Sequence, residues 1–258
     1  MTAIDVNATI DGDPDAPPVV LSPSLGTSIA MWDPIVAALA ERFRVIRYDP
    51  RGHGLSPIPP DPYEIDDLAD DLLALLDRLD IDAAHIAGIS IGGMTAMAFA
   101  AARPDRVDRL VLACTSPHLG PPQRWADRAF AVREGGTVAV ADAVVARWLT
   151  PAYVAVHPEV LTGLRDQLVH TPADGYAACC GAIERMDVRD RLPSITAPTL
   201  VIAGAQDAAT PREHAERIVA GIPNASLAVL DPAAHLAPVE QPAAFADLVV
   251  SHLSKDAS

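Results

Sequence analysis

Six residues, Gly88-Ile89-Ser90-Ile91-Gly92-Gly93, sit where a buried apolar run stops and a run of small helix-compatible residues begins. Ala84 to Ile89 reads as an interior strand and Ile91 to Ala102 as a helix. A serine between them, with glycine two residues away on each side, requires a turn so sharp that ordinary side chains would collide. The glycines make room, and Ser90 is left at the tip in the arrangement of a nucleophile elbow. The five-residue pattern alone would arise by accident in roughly one chain in ten of this length. Its position between a buried strand and a helix makes it informative.

The same region raises the question of a membrane span, because Ala83 to Ala102 contains no Asp, Glu, Lys or Arg. That length is about enough to cross a bilayer. The interruptions at His85, Gly88, Ser90, Gly92, Gly93 and Thr95 fit a buried strand, turn and helix better, so no membrane association is expected. The first part of the chain continues this alternation. Strands are predicted at Val19–Leu21, Arg44–Tyr48, Ala84–Ile89 and Arg109–Ala113. Ile65 to Leu79 carries Leu68, Leu72, Leu75, Leu76 and Leu79 at helical spacing, with Asp66 and Asp67 at its positive end. Strand candidates return at Thr199–Ala203 and Leu227–Leu230, around a helix at Arg212–Val219, and a helix at Ala243–Leu253 closes the pattern. Repeated β-α units imply a mostly parallel sheet flanked by helices. At the N-terminus, Thr2–Ile10 followed by Asp11-Gly12-Asp13-Pro14 reads as an antiparallel strand and turn.

Between Ser116 and Pro193 the texture changes. Alanine, arginine and leucine dominate, broken by Pro121-Pro122, Gly135-Gly136, Pro151, Pro158 and Pro172. This predicts a helical cap over residues 116–193, inserted into a core made of residues 1–115 and 194–258.

The 258 residues are 50% hydrophobic, ample for a sizeable core. Nineteen Lys and Arg against 34 Asp and Glu give a net charge of -15, which repels polyanions and argues against nucleic acid as a partner. An anionic small substrate would need local basic residues to overcome the same field. Three cysteines, two of them adjacent at Cys179 and Cys180, cannot build a disulfide framework. With no signal pattern at the N-terminus, the expectation is a cytoplasmic protein. Oligomeric state is not legible.

Ser90 needs a base and the base needs an orienting acid, in the chain order Ser, then Asp or Glu, then His. His235 follows the last predicted strand in a small-residue loop from which an imidazole can reach over the sheet edge. The other histidines fit worse. His53 and His85 precede Ser90, His118, His157 and His170 fall in the cap, His214 lies early in a helix, and His252 lies near the C-terminus. Asp207, between a strand and Thr210-Pro211, is the candidate acid, with a turn-capping role as its plainer reading. Asp231, at a strand end four residues before His235, is its nearest rival and reads more naturally as a turn residue. For the oxyanion, one donor is the N–H of Ile91 at the helix start. The second belongs to the loop after Val19–Leu21, where Pro23 has no N–H, leaving Leu25 and Ser24 with Leu25 favoured. The Ser24 hydroxyl is also a candidate substrate contact. The polar run Tyr48 to Ser56 is read as bracing loops around the site.

Together these motifs resemble the α/β-hydrolase superfamily, and more narrowly the 3-oxoadipate enol-lactonases. The likeness rests on Leu21 to Thr27 with Met31-Trp32, Arg47-Tyr48-Asp49 with Arg51-Gly52-His53-Gly54, Gly88 to Met94, Gly175 to Cys180, Gly120-Pro121-Pro122 through Trp125, and Ala234-His235-Leu236 with Glu240-Gln241-Pro242. It implies an α/β-hydrolase fold, opening of a small anionic enol-lactone in aromatic catabolism, and Ser90, Asp207 and His235 as the triad, with Leu25 reinforced as the oxyanion donor. No metal or organic cofactor is implied. The implied substrate carries a carboxylate, so Arg128 and Arg133 are candidate partners for it, with Trp125 and Trp148 as pocket wall. Pro23, where the family often has Asn, and Ala237-Pro238, in place of Ser-Asn, depart from the pattern and bear on substrate identity. The rival readings are a broader carboxylesterase or perhydrolase-haloperoxidase on the same triad, and a lactone-sensing binding protein.

Overall fold

The computed structural model describes residues 2–254. Seven strands form one sheet: β1 (Ala8–Asp11), β2 (Pro18–Ser22), β3 (Arg44–Tyr48), β4 (Ala84–Ile89), β5 (Val107–Ala113), β6 (Thr199–Gly204) and β7 (Ala225–Leu230). Their order is β1-β3-β2-β4-β5-β6-β7, with only the β1–β3 pair antiparallel. Parallel neighbours require crossovers, and helices supply them on both faces. These are α1 (Asp33–Ala40), α2 (Ile65–Arg78), α3 (Ile91–Ala102), α9 (Arg212–Gly221) and α11 (Pro242–Leu253), together with the one-turn α10 (Ala237–Glu240). Between β5 and β6 stand five further helices, α4 (Pro122–Gly135), α5 (Val138–Val145), α6 (Pro151–Val156), α7 (Pro158–His170) and α8 (Ala173–Arg185).

The central strand β4 is buried at every position, as its unbroken apolar run requires. Helix α3 is equally enclosed, buried from Ile91 to Ala100, which accounts for the missing charges of this stretch. No described helix is long and apolar enough to cross a membrane. Helix α2 buries Leu68, Leu72, Leu75 and Leu76, and its start is capped by the Glu64 N–H donating to the Asp67 carboxylate at 2.8 Å.

One local expectation needs correction, and one element was not foreseen. The N-terminal strand begins at Ala8, later than Thr2, because the preceding backbone is claimed by side chains: the Ile4 N–H donates to Asp71 and the Asn7 N–H to the Ser56 hydroxyl, both at 2.8 Å. Helix α1 was not anticipated. Its short DPIVAALA sequence buries only Ile35 and Leu39, too few apolar positions to announce a helical period.

Candidate active site

Ser90 links β4 to α3 with φ 57° and ψ -123°, a left-handed backbone that a non-glycine residue adopts only at a cost of about 1–3 kcal/mol. Its surroundings hold it there. The Ser90 N–H donates to the Ala113 carbonyl at 3.1 Å, and its own carbonyl accepts from the Met94 N–H at 3.0 Å and the Thr115 hydroxyl at 2.6 Å. The flanking glycines serve space. A Cβ on Gly92 would fall 2.1 Å from the Ser22 carbonyl oxygen, and one on Gly88 would fall 2.3 Å from the Gly92 oxygen. Strand β2 and helix α3 can therefore touch backbone to backbone at the turn.

Asp207 and His235 stand on the loops after β6 and β7. The His235 Nδ1 lies 2.9 Å from Asp207 Oδ2. The carboxylate also accepts from the Ala209 and Thr210 N–H groups at 2.8 and 3.0 Å and from the Thr210 hydroxyl at 2.7 Å. Loop capping and contact with His235 are thus performed by one carboxylate. Burial pushes the Asp207 carboxyl up, but the His235 charge and the hydrogen bonds from His235 and Thr210 outweigh it and hold the group at about 2. An ionised Asp207 accepts from Nδ1–H, which leaves Nε2 of the neutral imidazole as a proton acceptor. Asp231, the rival acid, is exposed.

Ser90 and His235 line one cavity at the carboxyl end of the sheet, together with Ser24, Leu25, Trp125, Arg128 and Trp148. That is the crevice where open parallel sheets present their ligands. In the loop after β2, the Thr27 N–H and hydroxyl both donate to the Ser24 carbonyl, at 3.2 and 2.7 Å, and the Gly26 N–H donates to Nε2 of the buried His53 at 3.0 Å. Among the described residues no hydrogen bond engages the Leu25 N–H. Ile91 opens α3, so its N–H has no acceptor within the helix. The polar run after β3 braces this loop: Asp49 accepts from the Asn7 side chain and from the Ile29 and Leu55 N–H groups at 2.8, 2.9 and 3.0 Å. Arg51, fully buried, grips Asp71 through two bonds of 2.7 Å.

Arg133 does not reach the cavity. It pairs with Asp61 at 2.5 Å on an exposed face, because the turn of α4 that carries it points toward the 58–61 loop. Arg124, Arg147 and Tyr176 take places in the cavity that sequence reasoning had not assigned. Arg124 stands four residues before Arg128 on α4, and Arg147 is the immediate neighbour of Trp148; both spacings were readable. Arg128 stacks over the Trp125 ring at 4.5 Å, and Trp125 is itself anchored by its indole N–H to the Leu119 carbonyl at 2.8 Å. None of the three cavity arginines forms an ion pair among the described residues. Burial, then the charges of Arg128 and Arg124, push the Arg147 guanidinium down. Burial pushes the Tyr176 hydroxyl up, against the opposing pull of the nearby Arg128 guanidinium.

Residues 17–146 match the α/β-hydrolase fold family model. The chain belongs to the α/β-hydrolase family. Within it, this α/β-hydrolase is 41% identical to 3-oxoadipate enol-lactonase 2 of Acinetobacter baylyi, a match covering 95% of the chain and 92% of the relative. The crystal structure of the enol-lactonase from Burkholderia xenovorans LB400 superposes with a TM-score of 0.95 at 43% identity, covering 97% of this chain and 96% of that one. A thermophilic esterase from Thermogutta terrifontis, solved with malate bound, superposes with a TM-score of 0.91 at 32% identity, covering 97% and 93%.

Proposed function

We propose that this α/β-hydrolase opens the ring of 3-oxoadipate enol-lactone through an acyl-enzyme on Ser90, giving 3-oxoadipate. The observation that carries the reading is the near end-to-end similarity to enol-lactonases, joined to a cavity where Ser90 and His235 face three arginines unpaired among the described residues. In this reading the helices between β5 and β6 act as the cap. Residues 116–193 then form a unit laid over the core of residues 1–115 and 194–258.

His235 Nε2 takes the Ser90 hydroxyl proton as Oγ attacks the lactone carbonyl, and Asp207 stabilises the resulting imidazolium. The Leu25 and Ile91 N–H groups receive the oxyanion. Collapse of the tetrahedral intermediate breaks the ring C–O bond. The leaving enolate stays attached to the acyl chain, takes up the proton held by the His235 imidazolium and tautomerises to the ketone. Because an enolate leaves more readily than an alkoxide, this step demands little acid assistance. Water, deprotonated by His235, then hydrolyses the ester and frees Ser90. The substrate carboxylate is met by Arg128 with Arg147 and Arg124, which offset the field of a protein with net charge -15. Trp125, Trp148 and the Ser24 hydroxyl bound the rest of the ring. The chain has three unpaired, buried thiols, which suit a reducing compartment, and we place the enzyme in the cytoplasm.

The test is to mix the purified protein with 3-oxoadipate enol-lactone and follow loss of the enol absorbance, with neutral aryl esters in parallel. Rapid loss is expected, with a fall of about 10⁴-fold or more in kcat for Ser90→Ala. Turnover of aryl esters with the enol-lactone untouched would favour the broader esterase reading.

A further inference from the structure

A carboxylate removed from water is costly unless donors saturate it. Glu240, 6% exposed on the one-turn α10, is such a group, and its partners are neutral. Oε2 accepts the Ala234 N–H at 2.9 Å, Oε1 accepts the Thr150 hydroxyl, and both oxygens share the Thr150 N–H at 3.3 Å. These donors come from two distant places. Ala234 immediately precedes His235, whereas Thr150 caps α6, its hydroxyl also accepting from the Tyr153 N–H at 3.2 Å.

Two further bonds stitch the same segments together. The Leu236 N–H donates to the Trp148 carbonyl at 2.8 Å, and the Tyr153 hydroxyl donates to the Val239 carbonyl at 3.3 Å. The backbone of His235 is thus fixed on both sides, by Glu240 through Ala234 and by Trp148 through Leu236. Trp148 is itself a wall of the cavity. From this we infer that Glu240 is a positioning residue, one carboxylate that sets His235 against Ser90 and the Trp148 wall against the substrate. Base and wall then move as one body. The role asks for a carboxylate because every partner is a donor. An amide at this position would turn its own NH₂ toward Ala234 or Thr150 and lose one of the two attachments.

The inference rests on the hydrolase reading of Ser90 and His235, and its test separates the two. Glu240→Gln, Thr150→Val and Thr150→Ser are compared with the wild type for kcat and KM on the enol-lactone and for the rate at which a fluorophosphonate probe labels Ser90. The probe reports serine activation whatever the natural substrate. Glu240→Gln is expected to lower kcat and the labelling rate by about 10- to 100-fold and to raise KM. Thr150→Val removes the hydroxyl bond to Glu240 and the cap on the Tyr153 N–H while the Thr150 N–H still reaches the carboxylate, so the attachment to α6 is loosened and KM rises several-fold while kcat stays within about two-fold of wild type. Thr150→Ser, which keeps the hydroxyl, restores wild-type KM. Glu240→Gln with unchanged kcat, KM and labelling rate overturns the inference, even with a lowered melting temperature. Should Glu240→Gln not fold, Thr150→Val decides, and an unchanged KM there overturns it as well. If the wild type leaves the enol-lactone intact, only the substrate assignment fails, and labelling still tests Glu240.

Discussion

At the scale of the residue, strain and charge are held by neighbours close at hand. Ser90 keeps a left-handed backbone because Ala113, Met94 and Thr115 fix the peptide groups on either side of it. Asp207 stays ionised deep in the structure because four donors converge on it. Its folded pKa of about 2 lies below the unfolded value of about 4. Its contribution, about 2 kcal/mol, is therefore present in full above pH 4 and is lost as pH falls toward 2. Asp207→Asn lacks it, and urea titrations should show the stability gap between the two proteins shrinking between about pH 4 and pH 2. The same variant presents an amide to His235 Nδ1, favouring the wrong tautomer, and kcat on the enol-lactone should fall about 10⁴-fold. The roles of Ser90, Asp207 and His235 could be suggested from chain order and loop placement alone. The exclusion of Arg133 could not be, because α4 carries Arg124, Arg128 and Arg133 and only the packing of that helix decides which of them face inward.

At the scale of the element, the elbow is a contact between two backbones. The Ser22 carbonyl at the end of β2 lies where a Gly92 side chain would begin, so β2, the loop that follows it and the start of α3 are locked in one register. Gly92→Ala must push α3 away from β2. We expect a loss of about 1–3 kcal/mol in guanidinium unfolding and a lower kcat, since the Leu25 and Ile91 N–H groups are carried on the two elements being separated. A similar approach joins the loop after β3 to α8: a Cβ on Gly52, which has φ +74°, would fall 2.5 Å from the Gly175 Cα. This contact ties the loop that carries His53, and so the loop after β2 that His53 accepts from, to a helix between β5 and β6. The parallel strands were legible to within a residue or two, as at Arg44–Tyr48 and Ala84–Ile89. Helix α1 was not, because packing against α11 and β3 stabilises it more than any amphipathic pattern of its own.

At the scale of the whole molecule, the charge of the cavity opposes that of the chain. A chain of net charge -15 turns three arginines into one cavity, and among the described residues no carboxylate lines that cavity. Histidines add a second global property. His53, His85 and His214 are each pushed below the ordinary imidazole range, first of all by burial. The unfolded chain therefore takes up protons near pH 6.5 before the folded one does. Stability from these groups is complete above that pH and declines as the solution is acidified. Melting temperature should fall between about pH 7.5 and pH 5, and His53→Gln should flatten the decline, since an amide oxygen can accept the Gly26 N–H without titrating. An equal slope in wild type and variant would remove His53 from the account.

The sequence by itself determined the parallel sheet, the elbow and the order of the chemical groups along the chain, because these follow from local apolar runs, glycine spacing and loop position. The tertiary structure decided which groups meet. The 2.9 Å contact of His235 with Asp207 joins residues 28 apart, and the bonds of Glu240 to Thr150 join residues 90 apart. Those encounters depend on how helices rotate and pack over the sheet, and no periodicity along the chain records that rotation.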